Sequence, residues 1–205
     1  MANKRRTEKI RTLIFILILI IIDQLTKVFV KTGMSLGEAI YVFGDWFQIR
    51  FLENRGAAYG MELGGEYGKI ILSLFRIVAV IALSFYVSLL IDKRTPRKVL
   101  FAFSLIVAGA TGNIIDSLFY GMIFTESTPY QVAEFVNWGE GYTTFLHGNV
   151  VDMLYFPIIN TTLPDWLPFW GGEPYIFFSP IFNVADSYIT IGAIFLILFC
   201  RNHFK

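Results

Sequence analysis

Apolar residues gather into four long runs along this chain, at about residues 13–30, 67–91, 99–120 and 183–200, with stretches of mixed character between them. A run of about 18 or more apolar residues is long enough to cross a bilayer as a helix. The pattern predicts an all-α membrane protein with four transmembrane helices, forming one membrane domain over residues 1–205. Residues 39–51 (AIYVFGDWFQIRF) read differently. Aromatic and β-branched residues flank a Gly44-Asp45 turn there, which predicts a small hairpin or curved sheet. The first run follows Lys4, Arg5 and Arg6, as a signal peptide would. It passes into Asp23-Gln24-Leu25-Thr26-Lys27 rather than a small-residue cleavage site, so a retained helix is expected.

Composition supports the membrane reading. Of 205 residues, 55% are hydrophobic and only 16% charged, against about a quarter charged in ordinary soluble domains. The net charge of +1, with no basic run on a soluble-looking segment, gives no reason to expect a nucleic-acid partner. One cysteine, Cys200, excludes an intramolecular disulfide and a Cys-rich metal site. No short leader ends in a small-residue motif before a cysteine, so the chain is not expected to be lipid-anchored. Lys and Arg crowd the N-terminus, residues 93–98 and the C-terminus, and none occurs in residues 121–182. By the positive-inside rule both termini belong in the cytoplasm, and segments 31–66 and 121–182 lie outside.

Charged groups inside a span cost a few kcal/mol or more, roughly, so each needs a reason. Asp23, Lys27, Arg76, Asn113, Asp116, Asn183 and Asp186 all fall within spans, most of them in the outer halves, and Asp152 comes from the outer segment leading to the fourth. Polar groups converging at one depth are what a site would look like. Ordinary readings exist for several. Asp23 and Lys27, four apart, would pair on a helix surface; Arg76 would snorkel outward; Asn113 and Asn183 would hydrogen-bond between helices. His147 and His203 are the only histidines, too few and too far apart to suggest a zinc site. No Gly-x-Ser-x-Gly elbow supports serine catalysis.

Five stretches together resemble one family, the bacterial lipoprotein (type II) signal peptidases. Asp23-Gln24-Leu25-Thr26-Lys27 resembles D-Q-x-x-K, and Glu53-Asn54-Arg55-Gly56-Ala57-Ala58-Tyr59 resembles N-x-G-A-A-F. Gly112-Asn113-Ile114-Ile115-Asp116 resembles G-N-x-x-D, Val150-Val151-Asp152 resembles V-V-D, and Phe182-Asn183-Val184-Ala185-Asp186-Ser187 resembles F-N-x-A-D-S. The resemblance implies four membrane helices with a small periplasmic β-sheet cradle and a short interfacial helix. It implies a bacterial inner-membrane endopeptidase that cuts diacylglyceryl prolipoproteins before the lipidated cysteine. Asp152 and Asp186 would be its catalytic pair; Asn54, Gly56, Asn113, Asp116 and Asn183 would line the site, with Asp23 and Lys27 supporting it. No metal or other cofactor is expected, the partners being prolipoproteins and membrane lipids, and a monomer is expected.

Two departures stand out. Ser117 occupies the place of an arginine that usually closes the third motif, and Arg76 is the nearest replacement cation. The segments before Val150 and over residues 155–180 are also longer than the family pattern, and a lid or a substrate-docking surface would each account for them. Competing readings are a small transporter with an Asp23–Asp116–Asp186 relay, a different intramembrane aspartyl protease, and a non-catalytic scaffold. The first does not need Asp152, the second lacks its Gly-x-Gly-Asp motif, and the third leaves the buried polar residues unexplained.

Overall fold

The structure is a computed structural model that describes residues 2–54 and 65–203. Residues 55–64, which include Gly56 and most of the second motif, lie outside the described residues. The first apolar run belongs to α1 (Ala2–Gly33), at 32 residues far longer than the run itself. Its polar start projects beyond the apolar part and is tied to the turn between α2 (Gly65–Asp92) and α3 (Arg97–Ile115). Lys9 Nζ pairs with Asp92 at 2.9 Å and Arg97 Nε with Glu8 at 3.1 Å. Such exposed pairs contribute at most about 1 kcal/mol each, so they fix position more than stability.

Three helical stretches are long and apolar enough to cross a membrane: Asn3–Gly33, Gly68–Asp92 and Arg97–Ile123. The fourth run forms α5 (Val184–Phe199), which at 16 residues is shorter. At about 1.5 Å per residue it covers about 24 Å, less than a full hydrocarbon core. It starts where it does because Asn183 caps it. The Asn183 side chain accepts from the Asp186 N–H while Asp186 accepts from the Asn183 N–H, a reciprocal capping box. Large apolar side chains stay exposed along the helices, Leu13, Leu17 and Ile21 on α1 and Phe75, Val78 and Phe85 on α2 among them. So wide an apolar surface calls for lipid.

The interior belongs to α3. Glycines bring its backbone against α5: a Cβ on Gly109 would collide with the carbonyl oxygen of Ala185, and one on Gly192 would lie 2.7 Å from that of Ala102. Small residues at such crossings allow the close approach that membrane helices rely on for cohesion. Gly109→Leu should therefore separate α3 from α5. The loss should be at least the ~1–3 kcal/mol typical of overpacking, read as a lower midpoint of thermal unfolding in detergent. An unchanged midpoint would remove the close crossing from the account of stability.

Outside the helices, β1 (Ala39–Phe43) and β2 (Phe47–Asn54) form the expected hairpin, with Gly44 at φ 51° in its turn. They continue into an antiparallel sheet of order β1-β2-β3-β6, with β3 at Val150–Tyr155 and β6 at Ile181–Phe182. Between Ile49 and Leu52 the β2 strand carries one residue more than β3 does between their partners Leu154 and Asp152, a bulge that sets Leu52 opposite Asp152. Phe51, Val151 and Met153 from the sheet pack with Val30 and Met34 of α1 and with Tyr120 and Phe124. The sheet thus sits on one end of the helices, and β3, buried at five of its six positions, is its centre.

After α3 come a π turn (Asp116–Tyr120) and the single turn α4 (Gly121–Ile123). No further helix precedes α5 among the described residues, and the short interfacial helix that the resemblance implies on the outer side is not seen among them; residues 55–64 of the outer segment 31–66 lie outside the described residues. The extra length at residues 155–180 instead forms a two-stranded arm, β4 (Ile159–Thr162) with β5 (Pro174–Phe177), exposed at every position.

Candidate active site

Two polar clusters meet where α1, α3, α5 and β3 converge. The first is built on Lys27, whose side chain has no exposed surface. Its Nζ lies 3.0 Å from Asp23 Oδ2 and 2.8 Å from Asp116 Oδ2, and it donates to Asn113 Oδ1 at 2.8 Å. Asp23 and Asp116 are equally buried. The pairing of Asp23 with Lys27 is thus not the helix-surface bridge their spacing suggests: helix α3 covers it and adds a second carboxylate. Asp23 Oδ1 also accepts the Ala185 N–H at 2.9 Å, anchoring the start of α5. Gly112 is needed beside it, since a Cβ there would strike Asp23 Oδ2.

The second cluster holds Asp152 and Asp186. Asn183 Nδ2 donates to Asp152 Oδ1 at 2.8 Å and to Asn113 Oδ1 at 3.1 Å. Asn113 Nδ2 donates to Asp186 Oδ1 at 2.7 Å, and Asn54 Nδ2 reaches Asp152 Oδ2 at 3.3 Å. Two carboxylates from different elements, one on β3 and one in the first turn of α5, are therefore held through two asparagines. Asn113 links the clusters, taking hydrogen bonds from Lys27 and Asn183 while giving one to Asp186. Asp152 is 3% exposed, whereas Asp186 is half-buried and more open to a substrate. Burial, and then the nearby Asp186 charge, push the Asp152 carboxyl up to about 7; the hydrogen bonds from Asn183 and Asn54 oppose that rise.

The family model for signal peptidase (SPase) II, Peptidase_A8, matches residues 15–201, a range that contains every residue of both clusters. The chain belongs to the signal peptidase II family. It is 50% identical over 184 residues to the lipoprotein signal peptidase of Porphyromonas gingivalis, covering 89% of this chain and 79% of that protein. It is 35% identical over 185 residues to that of Amoebophilus asiaticus, covering 89% and 74%. A bacterial membrane enzyme solved by the in meso method at 1.9 Å superposes with a TM-score of 0.59 at 27% identity, over 92% of this chain and 90% of that one. A second, solved at 2.3 Å, gives a TM-score of 0.60 at 24% identity over 95% and 90%, a likeness of fold.

In this chain Ser117 is buried and its Oγ donates back to the Asn113 carbonyl at 3.1 Å. The position carries no cation. Arg76, half-buried on α2, lies within electrostatic reach of both Asp186 and Asp152. Two features escape a reading of the sequence. Gln24 is a hub, its Nε2 contacting Asp116 Oδ1 at 3.0 Å and its Oε1 accepting from Tyr120 at 3.2 Å; its place beside Asp23 in the first motif was the available signal. The other is a separate buried network. Lys31 Nζ pairs with Glu53 and donates to Ser127 Oγ at 2.9 Å, and Asn149 Nδ2 donates to Glu53 Oε2 at 2.8 Å. Its members come from α1, β2 and two loops, and share no sequence period.

Proposed function

We propose that this chain is a membrane-embedded aspartyl endopeptidase that removes the signal peptide from diacylglyceryl-modified prolipoproteins, cutting before the lipidated cysteine. The observation that carries the reading is the joining of Asp152 and Asp186 through Asn183 and Asn113 at the end of the helices that bears the sheet. Family membership and the names of the relatives support the substrate class. In this reading α5 serves as a fourth span and both termini lie in the cytoplasm, as the Lys and Arg distribution favours. The site then lies near the periplasmic face of a bacterial inner membrane, and the protein acts as a monomer.

Two neighbouring carboxylates in a poorly solvated site share a proton, because both cannot ionise without strong repulsion. The ionised member takes a proton from a water molecule as that water attacks the scissile carbonyl carbon. The protonated member donates to the carbonyl oxygen, and collapse of the tetrahedral intermediate delivers a proton to the leaving amine. Asn113 and Asn183 fix the carboxylates, leaving little reorganisation for the reaction itself. Asn54 and Gly56 would flank the peptide, while Asp23, Lys27 and Asp116 hold the helices in register. Arg76 would supply the positive charge absent at Ser117. A diacylglyceryl anchor keeps the scissile bond at the membrane surface, where this site lies.

The test uses purified protein in detergent with a diacylglyceryl prolipoprotein and its unlipidated precursor. Cleavage is read by gel shift, and the cut is placed by mass spectrometry. The lipidated substrate should be cut before its modified cysteine and the unlipidated one spared. The rate should fall as pH rises through about 7, where Asp152 gives up the shared proton. Arg76→Ala should cut more slowly at unchanged protein level. An inert wild type, on a substrate that a characterised lipoprotein signal peptidase cleaves, would overturn the proposal; an unaffected Arg76→Ala would remove only the arginine's role.

A further inference from the structure

At the opposite end of the helices from the aspartates lies a cavity of about 620 Å³. Its rim carries Lys4 and Arg5 from α1, Arg94 from the α2–α3 turn and Arg97 from the start of α3. Its floor is mainly apolar, formed by Ile91 and Leu100, each 5% exposed, with buried Thr95 between the end of α2 and the start of α3. The lining includes one acid, Glu8, and Arg97 already engages it. A smaller hollow of about 180 Å³ shares the Glu8, Arg97 and Leu100 wall and continues between α1 and α3 past Phe15 and Phe101.

The chemistry is divided: cations at the rim, hydrocarbon below, and an apolar continuation toward the middle of the membrane. Arg94 adds a second clue. It ends α2 with φ at 58°, its N–H bonded to the Ile91 carbonyl at 3.0 Å. Glycine adopts that conformation without strain and is the usual residue at such a helix end. An arginine there keeps a cation over the cavity. Helix α3 also begins at the cavity and carries no acidic residue in its own first turn, Glu8 of α1 being the one carboxylate in the lining.

We infer that this cavity binds an anionic phospholipid, its phosphodiester headgroup held by Lys4, Arg5 and Arg94 and one acyl chain laid along the groove past Phe15 and Phe101. The inference requires the helices to span a bilayer, which places the cavity at headgroup level, but does not require the peptidase reading. A zwitterionic lipid carries its own cation and would gain much less from this rim. Basic pockets between membrane helices at this level suit anionic headgroups on general electrostatic grounds.

The test measures thermal unfolding of the full-length protein in detergent with phosphatidylglycerol, with phosphatidylcholine of the same chains, or with inorganic phosphate. A ligand that binds the folded state alone raises the midpoint in proportion to its occupancy. Phosphatidylglycerol should raise it clearly, and the other two should not. The variant carrying Lys4→Gln, Arg5→Gln and Arg94→Gln should lose that increment. Native mass spectrometry gives an independent reading should the variant be less stable by itself: the wild type should retain a phosphatidylglycerol molecule that the variant does not. Equal stabilisation by phosphatidylcholine, or an increment surviving in the variant, would overturn the proposal. Full stabilisation by phosphate alone would also overturn it, marking a free-anion site. No cleavage enters either readout, so failure here leaves the proposed peptidase activity untouched.

Discussion

Asp152→Asn and Asp186→Asn should each lower the rate of prolipoprotein cleavage by at least ~10²–10⁴-fold, the range attributed to general acid–base groups. Each change leaves the side chain's size almost unaltered but removes one member of the proposed proton-sharing pair. An asparagine can neither accept the proton from water nor give one up. Asp152→Asn also carries a stability signature that sets it apart from a merely damaging change. The Asp152 carboxyl titrates near 7 in the folded protein, against about 3.9 for an unfolded aspartate. The folded state therefore binds this proton more tightly. The stability it contributes is fully present below about pH 4 and is lost as pH rises through 7. Asparagine does not titrate, so the unfolding midpoint of Asp152→Asn, relative to wild type, should climb between pH 5 and pH 8. An inactive variant that is also less stable at pH 8 would point to a structural role, and full activity in either variant would end the assignment of the pair.

Lys27→Met should be the most destabilising single change. Methionine matches the length of the chain, but the Asp23 and Asp116 carboxylates would then stay buried without the cation that lies between them. Breaking a buried ion pair by removing one partner costs about 3–5 kcal/mol, a large share of the roughly 5–15 kcal/mol that holds a typical domain. The variant should accumulate poorly and unfold early in detergent. Neutralising all three positions, as Asp23→Asn, Lys27→Met and Asp116→Asn, should recover much of the loss, because no unpaired charge remains. If the triple variant is as unstable as Lys27→Met, packing rather than charge governs the site.

Much of this arrangement was legible in the sequence, for reasons that differ by element. The apolar runs marked the helices because hydrocarbon tolerates little else, and the Gly44-Asp45 turn between aromatic strands marked the β1–β2 hairpin. The convergence of Asp152, Asp186, Asn113 and Asn183 followed from motif order and from the expense of polar groups in spans. The burial of the Asp23–Lys27 pair was not legible, because spacing of four on one helix says nothing about what covers it. Nor was the Lys31–Glu53–Asn149 network, whose partners are joined only once β2 and the outer loops have folded onto α1. The fourth apolar run, 183–200, marked α5 (Val184–Phe199) to within one residue at each end, where Asn183 and Cys200 stand. In the fold they are its caps.

The exposed arm has a consequence of a different kind. It departs from β3 after Tyr155 and rejoins the sheet at Ile181, where those two residues pair. The sheet, not the intervening chain, sets the spacing between Asp152 and the start of α5. Residues 156–180 form a closed excursion whose length does not set the distance between Asp152 and the start of α5. Lineages could lengthen, shorten or exchange this stretch while the chemistry stayed fixed, making it a place where variants of one enzyme can diverge without renegotiating the reaction.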